Sequence, residues 1–321
     1  MILLAHPFFM LRPRLLRFLH FFRYLNLATL RITVSRALKH RLLSLSSQMA
    51  YNAMLALFPA ILVIFTVIEL FKQFFPWTNP ADQLGEVAPE QAMELMRNFA
   101  EGINLTDNRG LFSLSFIMAI WVSSGALNAA MNALDQINQI SSEKTRPFWK
   151  AKLIAMGLTL GSVLLLFIAS FILFISNWVV NLVEYKSIVV ILLTLLRLLS
   201  WLIALSLVAI VFAIIYRFGI SHWRQGTPIL PGAVLAAVLW AIVSGVFRNY
   251  VASNFSNYHK IYGALGAVIV LQLWLYMTSL VVLLGDQLNL TVGEAMQAAK
   301  ERSIEKPELK AISEISESKI Q

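Results

Sequence analysis

Five histidines (His6, His20, His40, His222 and His259) are the residues best suited to acid–base or metal chemistry, and they are scattered with no ligand spacing. Cysteine is absent, which removes thiolate nucleophiles, thiolate metal sites and disulfides together. The chain has no GxSxG elbow, no P-loop, no GxGxxG turn and no HxHxDH-like cluster. A hydrolase, a nuclease or an ATP-driven pump would need one of these. The sequence therefore predicts no enzyme, no metal and no cofactor.

The polar residues that remain informative lie inside apolar runs, where amide and ionisable groups are costly and usually face a partner or a wet cavity. Ser124, Asn128, Asn132 and Asp135 are spaced 4, 4 and 3, which puts them on one helical face. Gln272, Tyr276, Ser279 and Asp286, spaced 4, 3 and 7, share another face, and Tyr51 and Asn52 add a third polar patch at similar depth. Two readings stand. The stripes line a cavity open to the cytoplasm, or they hold helices together by interhelical hydrogen bonds of about 0.6–2 kcal/mol each.

The elements that must position these residues are membrane helices. Hydrophobic residues make up 58% of the chain and charged residues 13%, against a charged share of about 25% in soluble domains. Six apolar runs of the length needed to cross ~30 Å of hydrocarbon are expected at about 49–71, 110–130, 151–176, 195–216, 229–252 and 261–285. The last two read as a hairpin split by the polar link SNFSNYHK. In the fourth run, Ser187 to Leu196 reads as an interfacial segment or a tilted extension. The expected fold is an all-α, polytopic membrane helix bundle.

Charge sets the orientation. Residues 1–48 hold eight Lys or Arg and no acid, and 19 of the 26 basic residues fall on one side of the six-span layout. By the positive-inside rule that side is cytoplasmic and holds both termini, while the acidic segment from Lys72 to Arg109 is external. The net charge of +9 is thus a membrane signal, and no nucleic acid partner is expected. The 1–48 segment reads as one or two basic amphipathic helices on the anionic inner leaflet, or as an orientation signal alone. Residues 49–290 form the transmembrane domain. Residues 291–321 form a charged cytoplasmic tail, with a short helix through Gly293–Ser303 that Pro307 ends or breaks and disordered last residues.

At the opposite end, Glu69, Arg197 and Arg248 reach a similar depth in the outer leaflet. Either the arginines snorkel to the interface, or Glu69 pairs with one of them while the other takes an anionic group such as a lipid phosphate. Gly232, Gly263 and Gly266 permit close helix packing, or act with Pro59 as points of bending.

Seven features, in a fixed order along the chain, carry a resemblance. A basic link is followed by PGA at Pro231–Ala233, FRNYV at Phe247–Val251, YGALG at Tyr262–Gly266 and GDQLN at Gly285–Asn289. Upstream stand LLSLSSQMAYNAMLALFPA at Leu42–Ala60 and WVSSGALNAAMNALDQI at Trp121–Ile137. Over about Arg41 to Leu290 the chain resembles the YihY/BrkB family of bacterial inner-membrane proteins, some once labelled ribonuclease BN. The resemblance implies a multi-pass inner-membrane protein with transporter-like assignments, and the nuclease label finds no support in these residues. The family's usual GAELN is GDQLN here, so any role of its Glu is in doubt, with Asp286 the nearest substitute.

Two functions follow as expectations. One is a transporter or lipid/solute translocator driven by an ion gradient or by passive partition. The other is a non-transporting scaffold or envelope-assembly factor. Membrane lipids, above all the anionic inner leaflet, are the expected partners, and self-association into a homo-oligomer is open.

Overall fold

The computed structural model of the chain describes residues 26–71, 109–182, 187–224, 226–262 and 264–318. Among these the secondary structure is helical with no strand. The helices are α1 (Leu27–Lys39), α2 (Leu42–Phe71), α3 (Arg109–Ser123), α4 (Gly125–Ile137), α5 (Phe148–Leu182), α6 (Ser187–Gly219), α7 (Leu230–Tyr262) and α8 (Ala264–Ser318). A single 3₁₀ turn, Ser142–Lys144, lies between α4 and α5.

α8 is the central element, packing against α7, α2, α1 and α4, while α5 and α6 pair with each other. The main core gathers Leu42, Leu45, Met49, Leu134, Ile137, Phe212, Ile215 and Tyr216 around Ala233, Ala236, Ala237 and Leu283. The alanines of α7 allow close approach to α8, where dispersion over short distances replaces the hydrophobic drive that lipid does not supply.

The outward faces are as apolar as the core. Val234, Val238, Ile242 and Val246 repeat every fourth residue on α7 and are exposed, as are Ile269, Leu273 and Met277 on α8 and Leu195, Leu198, Leu199 and Leu202 on α6. In water such stripes would be an aggregation liability. In a bilayer they are the lipid face. Five stretches among the described residues are long and apolar enough to cross: Phe116–Ile137, Phe148–Ala169, Leu198–Gly219, Leu230–Tyr250 and Val268–Ala299. The expected first span, 49–71, falls within α2, whose side chains after Val63 are not among those described.

Three expectations about boundaries are corrected and a fourth, on the start of α6, is narrowed. The second span is not one helix: a turn at Ser124 divides α3 from α4. The link Ser253–Lys260 is part of α7, since it is polar but contains no Gly or Pro that would end a helix. Of the two readings of Ser187–Leu196, the structure agrees with an extension of the span, since the segment is continuous with α6. The C-terminal region does not end near Ser303, because α8 runs on to Ser318 with Pro307 inside it. A 55-residue helix is about 80 Å long, far beyond a ~30 Å hydrocarbon core, so the charged end of α8 projects past the membrane. Residues 1–25, 72–108 and 319–321, and with them the basic N-terminal residues up to Arg23 and the acidic loop, lie outside the described residues.

Candidate functional site

The site begins at a kink. Ser123 Oγ donates to the Ile120 carbonyl at 3.1 Å, and Ser124 Oγ donates to the Trp121 carbonyl at 2.7 Å. Consecutive serines that bond back onto the preceding turn, followed by Gly125, bend a helix and let it restart in a new direction. α4 restarts at Gly125 and presents Asn128, Asn132 and Gln136, spaced four apart, to a cavity of about 710 Å³. α2 supplies Gln48 and Asn52 to the same cavity, also four apart. Ser142, Thr145, Arg146, Phe148 and Ser221 come from the connecting turns and the start of α5.

Two charges reach the cavity wall, and both are committed to one turn. Arg146 donates from Nη1 to the carbonyls of Phe218 at 2.6 Å and Gly219 at 3.3 Å, and from Nη2 to Ile220 at 2.7 Å. These are carbonyls at and just beyond the C-terminal end of α6, where helical partners run out, and the guanidinium fork replaces them. Asp135, nearly buried, accepts from the Ser221 amide at 2.7 Å and the Ser221 hydroxyl at 2.6 Å. The exit from α6 is thus gripped from both sides by opposite charges.

Beside the cavity lies a buried polar layer. Asp286 is 1% exposed and accepts from Asn138 Nδ2 at 2.7 Å. The neighbouring Gln287 meets His40 Nδ1 through Oε1 at 2.9 Å, and His40 Nε2 faces Gln139 Nε2 at 3.3 Å. Asn289 Oδ1 accepts from the Gly232 amide at 2.7 Å, capping an orphan donor in the first turn of α7. The Tyr216 hydroxyl donates to the Val282 carbonyl at 2.7 Å. Further out, Arg36 on α1 pairs with Glu294 on α8, and Arg224 approaches the same carboxylate at 4.0 Å.

Of the residues singled out in sequence, Asn52, Asn128, Asn132 and Asp135 line the cavity together. Ser124 forms the kink. Tyr51 does not line the cavity and is 61% exposed on α2. The α8 stripe is a correction: Gln272, Tyr276, Ser279 and Asp286 are absent from the cavity wall, with Ser279 and Asp286 buried in packing. Helical periodicity gives a shared face, but which neighbour meets that face is set by tertiary packing.

Gly232 sits where a Cβ would strike the Gly285 carbonyl and Asn289, so it is a close-packing position. Gly266 is buried, Pro59 lies inside α2, and Gly263 lies outside the described residues. Arg248 is exposed, whereas the side chains of Glu69 and Arg197 are not among those described. The ion pair expected there falls outside the description.

Sequence reading missed Gln48, Gln136, Asn138, Arg146, Ser221, Gln287 and Asn289. A signal existed for two of them, since Gln48 and Gln136 extend the stripes of Asn52 and Asn132 by one turn. Among the described residues no three His, Asp or Glu side chains converge as a metal-ligand set.

A match to the Virulence factor BrkB family covers residues 33–310. A protein named as ribonuclease-like, YfkH of Bacillus subtilis (strain 168), is 29% identical over 259 residues, 79% of this chain and 91% of its own length. A UPF0761 membrane protein of Tolumonas auensis is 28% identical over 262 residues, 79% of this chain and 82% of its own length. A UPF0761 membrane protein of Stenotrophomonas maltophilia (strain R551-3) is 29% identical over 272 residues, of whose length the match spans 58%. No solved structure matches the chain. With a match running through the kink, the cavity and the buried layer of α8, the chain belongs to the Virulence factor BrkB family of membrane proteins.

Proposed function

We propose that the chain is a transporter-like protein of the bacterial inner membrane that moves a polar solute or lipid headgroup by way of the cavity between α2, α4 and α5. The observation that carries this reading is the cavity itself. A void of about 710 Å³ lined by amides, hydroxyls and two side chains of opposite charge is far more polar than helix packing requires, and its size is that of a ligand site. With no nucleotide-binding motif in the chain, the drive would be an ion gradient or passive partition. The protein is not an enzyme on this reading, and the ribonuclease-like name belongs to the relative that bears it.

The layout proposed is six spans with both termini cytoplasmic, anchored on the anionic inner leaflet. The placement of 19 of 26 basic residues on one side supports it. Because the chain lacks cysteine, single-cysteine labelling reads the topology directly, and labelling of Ser318→Cys from outside intact cells would overturn it.

Function is tested with purified protein in proteoliposomes, measuring solute uptake and lipid scrambling in parallel. Either activity, lost when the cavity is blocked, supports the proposal. Absence of both across a panel of solutes and lipids, in protein that remains folded, replaces it with the scaffold reading.

A further inference from the structure

Apart from the Ser142 hydroxyl, the polar side chains left free in the cavity are amides, and that narrows the ligand. Gln48 and Asn52 on α2 face the same void as Asn128, Asn132 and Gln136 on α4. Asn52 Nδ2 donates to the Gln48 carbonyl at 2.8 Å, which leaves its Oδ1 available. The side chains of the other four make no hydrogen bond among the described residues. Both charged residues of the wall, Asp135 and Arg146, spend their hydrogen bonds on residues 218–221. No Lys or Glu lines the cavity.

An ion entering such a site would give up hydration for neutral dipoles with no free counter-charge, an unfavourable exchange. A ligand rich in hydroxyls fits instead. Each hydroxyl both donates and accepts, and each amide offers two donors and a two-lone-pair acceptor, so either partner can satisfy the other in more than one orientation. Phe148 adds a ring to the wall, suited to the C–H face of a sugar. We propose that the cavity binds a neutral polyhydroxylated group, either a free sugar or polyol or the sugar headgroup of an uncharged glycolipid. This rests on the transporter-like reading and names its substrate class.

The test uses the full chain purified in detergent and in nanodiscs. Trp149 stacks edge-on against Phe148 with centroids 5.6 Å apart and lies 5.8 Å from Trp121, so tryptophan fluorescence reports on the cavity wall. Sorbitol and maltose are titrated as free probes, nanodiscs with and without monoglucosyl diacylglycerol supply the lipid arm, and glutamate, lysine and inorganic phosphate are the charged comparators. Saturation is expected with a sugar or polyol probe or with the glycolipid, whichever is the source, and not with the charged solutes. Asn128→Leu and Asn132→Leu should each weaken it by about ten-fold, the loss of roughly one hydrogen-bonded pair, while Gln272→Leu, outside the cavity, leaves it unchanged.

Gly125→Leu guards against misfolding of the asparagine variants. Nothing lies within 4 Å of where its Cβ would sit, so a side chain starts there in open space on the cavity wall, and the leucine should abolish binding. Saturation by a charged comparator, equal binding by the leucine variants, or no saturation by any hydroxylated probe overturns the inference. Uptake of a charged solute through the cavity in proteoliposomes would overturn it while leaving the transporter reading standing. Sugar binding with no transfer would do the reverse.

Discussion

Asn138 donates from Nδ2 to Asp286 Oδ2 at 2.7 Å, joining the residue that follows α4 to the buried middle of α8. The same nitrogen donates to the Leu134 carbonyl at 2.9 Å, so one amide ends a helix and satisfies a carboxyl group that is 1% exposed. Leaving a buried polar partner unsatisfied costs about 1–3 kcal/mol. Asn138→Leu is expected to lower the thermal midpoint in detergent by a corresponding amount. Asp286→Asn, which keeps an acceptor in place, should lose less. Equal stability of Asn138→Leu and wild type would show that the bond contributes nothing.

Gly232 and Gly285 let α7 and α8 approach until backbone meets backbone. A Cβ on Gly232 would collide with the Gly285 carbonyl and with Asn289, while one on Gly245, on the same helix, meets nothing within 4 Å. Gly232→Ala should therefore destabilise by about 1–3 kcal/mol through overpacking, whereas Gly245→Ala should be neutral or stabilising by up to about 1 kcal/mol from helix propensity. Unfolding of both variants in detergent separates a packing contact from a general preference for glycine. Similar losses at the two positions would discard the close-contact account.

Arg146 holds the end of α6 by a fork that lysine cannot imitate. Three carbonyls, those of Phe218, Gly219 and Ile220, accept from its two terminal nitrogens, and charge-assisted bonds of this kind contribute about 1.5–3 kcal/mol at most, less where solvent reaches them. Arg146→Lys is expected to recover only part of what Arg146→Ala loses, read as hydrogen-exchange protection of residues 215–221. Full rescue by lysine would mean that the charge alone matters.

The sequence makes the helices legible because lipid demands apolar length, and a run such as that of α6 has no other outcome in a bilayer. It makes the α4 stripe legible for the same reason, since Asn128, Asn132 and Asp135 recur at helical spacing in an apolar setting. The breaks are harder. Polarity in Ser253–Lys260 resembles a loop, yet nothing there prevents helical hydrogen bonding. Conversely, Ser123–Ser124–Gly125 looks like ordinary span sequence until the hydroxyls turn onto the backbone. Asp286 was assigned to the cavity from its depth and face alone, but Asn138, placed beside it by the turn after α4, makes it a buried packing residue. Long-range partners of that kind have no local signature.

The clasp between Arg36 and Glu294 ties α1 to α8 at a site where both side chains are more than a third exposed. Solvent screening holds such a pair to about 0.2–1 kcal/mol. Arg36→Ala should therefore shift stability only slightly, and less at high salt. Glu294→Lys, facing Arg36 and Arg224, should cost more, with the excess removed by salt. A salt-independent loss would point to packing as its cause.

α1 is oriented in the reverse of a helix on a soluble protein. Its buried positions are Thr29, Thr33 and Ala37, small residues that let it lie close along α8, and Thr33 satisfies its own hydroxyl on the Thr29 carbonyl at 2.8 Å. Leu27, Leu30, Val34 and Leu38, spaced 3, 4 and 4, face outward, Leu27 at 84% exposure and Leu38 at 66%. Asn26 caps the helix with a 2.8 Å bond from the Thr29 amide, so α1 is a defined helix with a defined apolar outer face. Water is a poor solvent for that face, and Arg31 and Lys39 on the same helix suit an anionic headgroup layer. The expectation is that α1 lies in the inner-leaflet interface with its leucines about 5–10 Å below the headgroups. A nitroxide on Val34→Cys should then be quenched by oxygen in the acyl region, while one on Ser35→Cys, turned away by one residue, should respond to a water-soluble nickel chelate. Equal access of the chelate to both labels in anionic liposomes would remove α1 from the membrane.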